Sequence, residues 1–217
     1  NLPDIYAAGD CAMVTNRETG KPAWSPMGST ANIAGRLLAR NIAGSQIEYP
    51  GVLGTGVAKL PGDICAGRTG LTETAAAAEG YQTETVISVV DDKAHYYPGA
   101  GPFIIKMVAD KETHKLLGVQ VLGKGAVDKI TDIAVTAISL GATAEQLAMD
   151  FAYAPPFSTA IHPFAHTVNI LLNKLNGGLD SFTPVEYAEG AAEEYRIVDC
   201  AIQPSLPAYP YLDLTKI

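Results

Sequence analysis

The chain has 217 residues, with 15 lysines and arginines against 23 aspartates and glutamates, and a formal net charge of −8. This acidic balance argues against a nucleic-acid-binding protein, because phosphate binding depends on clustered basic side chains. No apolar run approaches the roughly 20 residues that a membrane-spanning helix needs, so we expect a soluble, cytoplasmic protein. The three cysteines, Cys11, Cys65 and Cys200, form no C-x-x-C pair, which indicates free thiols of a reducing compartment.

The first informative pattern is a short apolar run, Ile5 to Asp10, that stops at a glycine and an aspartate. It predicts a strand that carries the Asp10 carboxylate at its carboxyl tip, where α/β sheets usually hold ligands. Nothing before residue 5 is long enough to supply partner strands, and the first residue is Asn1 and not methionine. We therefore expect a piece of a larger protein.

A helix pattern follows from Ala31 to Ile42, after a polar insert whose tip predicts a hairpin turn. Ser29 or Thr30 is expected to cap its first turn and to leave free backbone N–H groups at its amino terminus. A carboxylate and a helix amino terminus so close in sequence suit a nucleotide-type ligand.

From Tyr49-Pro50-Gly51 onward the pattern changes to strands that are followed by helices, which predicts an α+β fold built on an antiparallel sheet. The polar turn at 110–115 predicts that the strands on either side of it form a hairpin. The expected strands are 55–60, 64–68, 86–90, 103–109 and 116–122, and the expected helices are one capped by Thr72, 126–140, one opened by Thr143, and 163–175. Near the end, Thr183 predicts a short capped helix and Tyr195 to Asp199 a buried strand.

Five short motifs follow one another along the chain: Ile5 to Asp10, the helix entry at 26–36, Arg68 to Thr72, His95 to Gly99, and Tyr153 to Ser158. Together they resemble the pyridine nucleotide-disulfide oxidoreductases. Within that family the similarity is to the branch of coenzyme A-disulfide reductases, NADH oxidases and persulfide reductases. The resemblance covers residues 1 to about 176.

The resemblance implies an enzyme that binds FAD and uses NAD(P)H. In this family the Gly9-Asp10 turn would close the FAD domain, and Asp10 would bond the ribityl chain of FAD. Gly28 and Ser29 would lie beside the flavin pyrimidine. No metal ion is implied.

The resemblance also implies a homodimer. Pro156 and Phe157 would lie in a loop that reaches the flavin of the other subunit. The positions that match the two tyrosines facing the partner's reactive cysteine are Tyr153 and one of Tyr96 or Tyr97, which are the candidate catalytic residues. A phenol can donate a proton or a hydrogen bond to a sulfur leaving group, although aromatic rings beside prolines also serve simply to cover a loop.

Three regions follow from the resemblance. Residues 1–50 would be the carboxyl-terminal piece of an FAD-binding domain, 51–176 the dimerisation domain, and 177–217 a linker with the truncated start of a rhodanese-like domain. The sequence holds no G-x-G-x-x-G and no redox cysteine after a first FAD helix, so we expect the chain to be inactive alone. The alternative is a non-catalytic self-association module formed by 51–176.

The substrate stays open among coenzyme A disulfide, persulfide, polysulfide and oxygen, the first three being small thiol-derived sulfur compounds. His162 and His166 are four residues apart, but no third metal ligand accompanies them, so they predict an ordinary helix start at Pro163. Cys11 has no partner cysteine and is expected to be a buried thiol.

Overall fold

The computed structural model describes residues 4–200 and 205–210. Residues 201–204 and 211–217 of the third predicted region lie outside this description. The described strands are β1 (Val14–Thr15), β2 (Pro22–Ala23), β3 (Gly56–Lys59), β4 (Cys65–Gly70), β5 (Thr83–Asp91), β6 (Pro102–Asp110) and β7 (Leu116–Gly123). The described helices are α1 (Gly28–Ile42), α2 (Glu73–Ala78), α3 (Val127–Ser139), α4 (Ala144–Leu147), α5 (Pro163–Leu175) and α6 (Pro184–Ala188).

A five-stranded sheet in the order β3-β4-β7-β6-β5 forms the centre of the chain, and all its neighbouring strands are antiparallel. The predicted hairpin is present, with Met107 of β6 opposite Val119 of β7. The α+β fold with an antiparallel sheet is therefore confirmed. The strands β1 and β2 pair separately as a small hairpin, as the turn signal predicted.

The main core lies between the sheet and the helices α3 and α5. Phe103, Ile105 and Met107 point to this side from β6, because side chains two residues apart share a face of a strand. They are fully covered together with Ile130 of α3 and Phe164 of α5. The opposite face of the sheet is covered at one end by the short helix α2.

Local sequence signals predicted several helix starts correctly. The Thr72 hydroxyl accepts a hydrogen bond from the amide of Ala75 at 3.1 Å and so caps α2. Thr143 and Gln146 form the capping box that opens α4. Helix α5 spans the predicted 163–175 because Pro163 suits its first turn and Gly177 follows its end.

Three predictions for the first 45 residues are wrong. Residues 5–8 form no strand, because no described segment pairs with them, and Ile5 and Tyr6 are exposed. Ser29 and Thr30 do not cap α1, since its N-cap position is Met27, whose side chain makes no capping hydrogen bond. The Cys11 thiol is exposed, because it lies on the turn after Asp10 and no described segment covers it.

The chain divides into one compact unit up to Leu179 and a second from Asp180 onward. In the second unit, Thr183 caps α6 as predicted. The buried strand predicted from Tyr195 to Asp199 is wrong, because Tyr195 is exposed and only Asp199 is paired, through its amide to the Pro210 carbonyl at 2.8 Å. The Asp199 carboxylate accepts hydrogen bonds from the amides of Ser205 and Leu206 and so ties this unit together.

The predicted boundary at residue 50, between a piece of an FAD-binding domain and the dimerisation domain, stays a prediction.

None of the helices in the described ranges combines the length and the apolar character needed to cross a membrane.

Candidate functional site

The Gly9-Asp10 turn is held through its two backbone carbonyls, which leaves the Asp10 carboxylate free. Gly9 has φ +89°, a conformation that suits glycine, and its carbonyl accepts from the amide of Ala12 at 3.0 Å. The indole N–H of Trp24 donates to the Asp10 carbonyl at 2.9 Å. Within residues 4–200 and 205–210, nothing bonds to the Asp10 carboxylate, which is exposed and available as an acceptor.

The amino terminus of α1 presents unused hydrogen-bond donors. The first bond within the helix runs from the amide of Ala31 to the Met27 carbonyl, so the amides of the three preceding residues have no acceptor in the helix. Met27 supplies no side-chain cap. A Cβ atom added at Gly28 would meet nothing within 4 Å, so open space adjoins this end. A free carboxylate and uncapped helix amides fit the hydroxyl groups and polar ring edge of a flavin cofactor.

Two of the three candidate tyrosines lie together. The amide of Ala94 donates to the Pro155 carbonyl at 3.3 Å and joins the loop that carries Tyr96 to the loop that carries Tyr153. The pKa of Tyr96 is raised, first by desolvation and then by the charge and hydrogen bonding of the Tyr153 phenol. Tyr97 has no such interaction with Tyr153 among the described contacts. Tyr96 is thus the one of the two neighbours that meets Tyr153.

The loop after Tyr153 presents an unpacked aromatic ring. The amides of Phe157 and Ser158 both donate to the Ala154 carbonyl, at 2.8 and 2.9 Å, which closes a tight turn around the two prolines. Ser158 is buried at the base of this turn, whereas the Phe157 side chain is 75% exposed and Pro156 is half-buried. An exposed ring on a fixed turn is suited to contact another surface.

His162 begins α5, as the predicted helix start required, and has a structural role. Its Nδ1 atom accepts a hydrogen bond from the amide of Phe164 at 3.2 Å, and its ring stacks on Phe151. Burial, with a smaller contribution from the nearby Lys129 charge, lowers the pKa of His162 to about 4. The imidazole is therefore neutral near pH 7. In the part of the chain that the structure describes, no three His, Cys, Asp or Glu side chains are grouped to hold a metal ion.

The predicted site residues form two groups. Asp10, Gly28 and Ser29 lie in the first 45 residues, and Tyr96 and Tyr153 lie on adjoining loops beside Pro156 and Phe157. No described hydrogen bond or ring contact joins the groups. Sequence reasoning missed Trp24 and the link between Ala94 and Pro155, because both act through contacts between residues far apart in sequence.

Comparison with known proteins identifies the central region. Residues 62–165 match the family described as the pyridine nucleotide-disulphide oxidoreductase dimerisation domain. This region of the chain belongs to that dimerisation-domain family. This confirms the predicted family, whose enzymes are FAD-dependent and use NAD(P)H.

Several known proteins resemble this chain in sequence or structure. The chain is 41% identical over 172 residues to an NAD(P)H sulfur oxidoreductase (CoA-dependent) of Pyrococcus furiosus, covering 79% of this chain and 38% of that protein. It matches a solved NAD-dependent persulfide reductase from A. fulgidus with a TM-score of 0.89 and 34% identity, over 100% of this chain and 40% of the other. The reduced CoADR-RHD of Bacillus anthracis matches with a TM-score of 0.89 and 31% identity, over 99% of this chain and 40% of the other. The chain thus spans about two fifths of the length of these relatives.

Proposed function

We propose that this chain is the carboxyl-terminal part of a flavin-dependent NAD(P)H:disulfide or persulfide reductase. It would provide the contact surface of a homodimer and part of the flavin and substrate sites, and it would be inactive alone. The identity of 41% to a CoA-dependent sulfur oxidoreductase, over 79% of this chain, carries the proposal. A small disulfide, persulfide or polysulfide is the substrate class that fits the relatives.

The residues that would hold FAD lie in the first 45 residues of the chain, where a carboxylate and backbone amides have no hydrogen-bond partner among the described residues. Asp10 would accept a hydrogen bond from the ribityl chain, and the amides at Gly28 and Ser29 would donate to the flavin ring. Pro156 and Phe157 would contact the flavin of the partner subunit. When bound, FAD supplies the two-electron transfer from NAD(P)H to the sulfur substrate.

The paired tyrosines are proposed to act on the substrate. A tyrosine phenol is protonated at neutral pH, and Tyr96, whose pKa is raised further by desolvation and by Tyr153, can therefore act as a hydrogen-bond donor. Together with Tyr153 it would place two hydroxyl groups beside a sulfur atom that takes up negative charge when a disulfide or persulfide bond breaks. Tyr97, the other candidate, would then cover the loop.

Purified chain tests this proposal directly. We expect no NADH consumption with coenzyme A disulfide or polysulfide, and no flavin retained in a one-to-one ratio, because the chain spans only about two fifths of the length of its relatives and holds no G-x-G-x-x-G for a nucleotide. Either turnover or stoichiometric yellow flavin would contradict the proposal. Fusion to the first three fifths of the Pyrococcus furiosus relative should restore flavin binding, and its activity should fall on Tyr96→Phe or Tyr153→Phe more than on Tyr97→Phe.

Self-association is the second candidate function, and an apolar groove beside α3 supports it. The groove has a volume of ≈650 Å³ and runs between α3, α4 and the segment to Phe151. Leu140 and Met149 line it and are 80% and 53% exposed. Apolar side chains this exposed on one surface favour contact with another protein, here a second copy of a dimerisation domain.

The groove can be tested by sedimentation. We expect the wild-type chain to form a dimer that Leu140→Asp converts to a monomer, because a carboxylate would then be buried without a partner. Val89→Asp is the matched control, since Val89 is also exposed but lies on β5, outside the groove. A clean monomer at high concentration, or a dimer that tolerates Leu140→Asp, would count against this groove.

Residues 177–217 are proposed to be a linker with the start of a rhodanese-like domain. The solved relatives align with nearly the whole chain, including this region, which supports a continuous relationship to them. We also propose that the reductase to which this chain belongs is located in the cytoplasm.

A further inference from the structure

The small hairpin of β1 and β2 reaches from the first group of site residues to the dimerisation domain. The amide of Arg17 donates to the Val52 carbonyl at 2.9 Å, and the amide of Val52 donates to the Thr15 carbonyl at 2.8 Å. At the other side of the hairpin, Lys21 forms an ion pair with Glu79 after α2, at 2.7 Å. The hairpin is therefore attached at two separate places.

Its third attachment is the Arg17 side chain. The guanidinium donates from Nη2 to the carbonyl of Ser139, the last residue of α3, at 2.6 Å. Helix α3 has no basic residue in its own last turn. A cation at a helix carboxyl terminus interacts favourably with the unpaired carbonyls and the negative end of the helix dipole. Arg17 supplies from a distance of 122 residues in sequence the charge that α3 lacks.

Helix α3 has different neighbours on two adjoining sides. On one side, Val135 and Ser139 line a cavity of ≈380 Å³ that is also lined by Ser29 and Thr30 at the start of α1. On the other side, Ile133 and Leu140 line the groove proposed for self-association. A shift at the end of α3 therefore changes both surfaces, because a helix moves as a rigid element.

We infer that Arg17 is a positioning residue that couples the start of α1 to the groove on α3. It fixes the end of α3 against the hairpin, so a second copy bound in the groove restrains the α1 amino terminus. Conversely, restraint of the α1 amino terminus favours binding of the second copy. The coupling rests on the proposed self-association. Reciprocity between the two sites follows from thermodynamic linkage.

The test combines hydrogen exchange with sedimentation on the full chain. In the wild type, exchange at residues 28–33 should slow as protein concentration rises through the dimer dissociation constant. Arg17→Ala should raise that constant about fivefold or more and remove the concentration dependence of exchange at 28–33. Arg17→Lys should restore both in part, because it keeps the charge, and the exposed Arg36 provides the control Arg36→Ala, which should behave as the wild type.

Circular dichroism establishes that each variant is folded before the comparison. A purely local stabilising role would change exchange near Arg17 equally at all concentrations, and this result would overturn the coupling. So would a dimer constant and a concentration dependence that are unchanged in Arg17→Ala. A wild-type chain that stays monomeric contradicts the self-association as well as the coupling, whereas a dimer without protection at 28–33 contradicts the coupling alone.

Discussion

The antiparallel sheet and helix α1 differ sharply in how they use apolar side chains. In the sheet, Ile105 and Met107 are completely buried beneath α3 and α5. In α1, Thr30 is the buried residue, whereas Ile33 and Ile42 are 50% and 65% exposed. The sheet, with α3 and α5 packed on it, thus carries its own core, while the larger apolar side chains of α1 are exposed or only half-buried. Amphipathic sequence can specify a helix without specifying what it packs against.

The largest expected difference between the two regions is in the stability lost when one apolar side chain is truncated in each. Phe164→Ala should destabilise the chain by about 3–5 kcal/mol, because the ring is fully buried in the main core. Ile33→Ala should change stability by less than about 0.5 kcal/mol. Urea unfolding at equal protein concentration provides both values, and similar losses for the two variants would show that α1 is packed as tightly as the sheet.

The same glycine-to-alanine change should have opposite effects in the two regions. A Cβ atom at Gly118 in β7 would lie 1.8 Å from the Leu71 carbonyl oxygen, so backbone has to move, at a cost of about 3 kcal/mol. At Gly35 in α1 a Cβ meets nothing within 4 Å, and alanine should stabilise the helix by about 0.5–1 kcal/mol. Thermal unfolding midpoints should fall for Gly118→Ala and rise for Gly35→Ala. Destabilisation by Gly35→Ala would reveal contacts over α1.

Acid should weaken the sheet region through His162. Its pKa is about 4 in the folded chain against 6.5 as the ordinary value, so the unfolded chain binds the extra proton between these pH values. The stabilisation from the neutral imidazole is complete above pH 6.5 and is lost as the pH falls towards 4, by about 3 kcal/mol at most. His162→Asn keeps a capping side chain and should flatten the stability profile in that window.

The control for this titration is His166→Asn, because His166 is exposed on the same helix. Urea unfolding at several pH values between 4 and 7 compares the three proteins. A wild-type profile as flat as that of His162→Asn would contradict a buried neutral imidazole.

The smallest expected effect is a change in the titration of one phenol. Tyr153→Phe should lower the pKa of Tyr96 without restoring its ordinary value, because desolvation is the larger cause of the increase and remains. Tyr97→Phe should leave the Tyr96 pKa unchanged. Nuclear magnetic resonance of ring-labelled tyrosine follows this residue directly, and an equal response to both variants would break the assignment of Tyr96 as the neighbour of Tyr153.

Local signals in the sequence were sufficient for most elements of the sheet region. The alternation of Phe103, Ile105 and Met107 predicted a strand with one buried face, and Thr143 with Gln146 predicted a capping box. The same reasoning was wrong for Ile5 to Ala8 and for Tyr195 to Asp199, where apolar residues suggested strands. A strand requires hydrogen-bonded partners, and its own residues cannot supply them.

The sequence by itself determined the family, the antiparallel sheet and the glycine and aspartate turn, because these depend on short motifs and local periodicity. Only the tertiary structure decided that Tyr96 and not Tyr97 meets Tyr153, and that Arg17 reaches the end of α3. Adjacent tyrosines are equivalent in a sequence pattern, and a contact across 122 residues leaves no local trace. Which side chains meet is fixed by the packing of loops and helices on the sheet, where small differences in direction separate neighbouring residues.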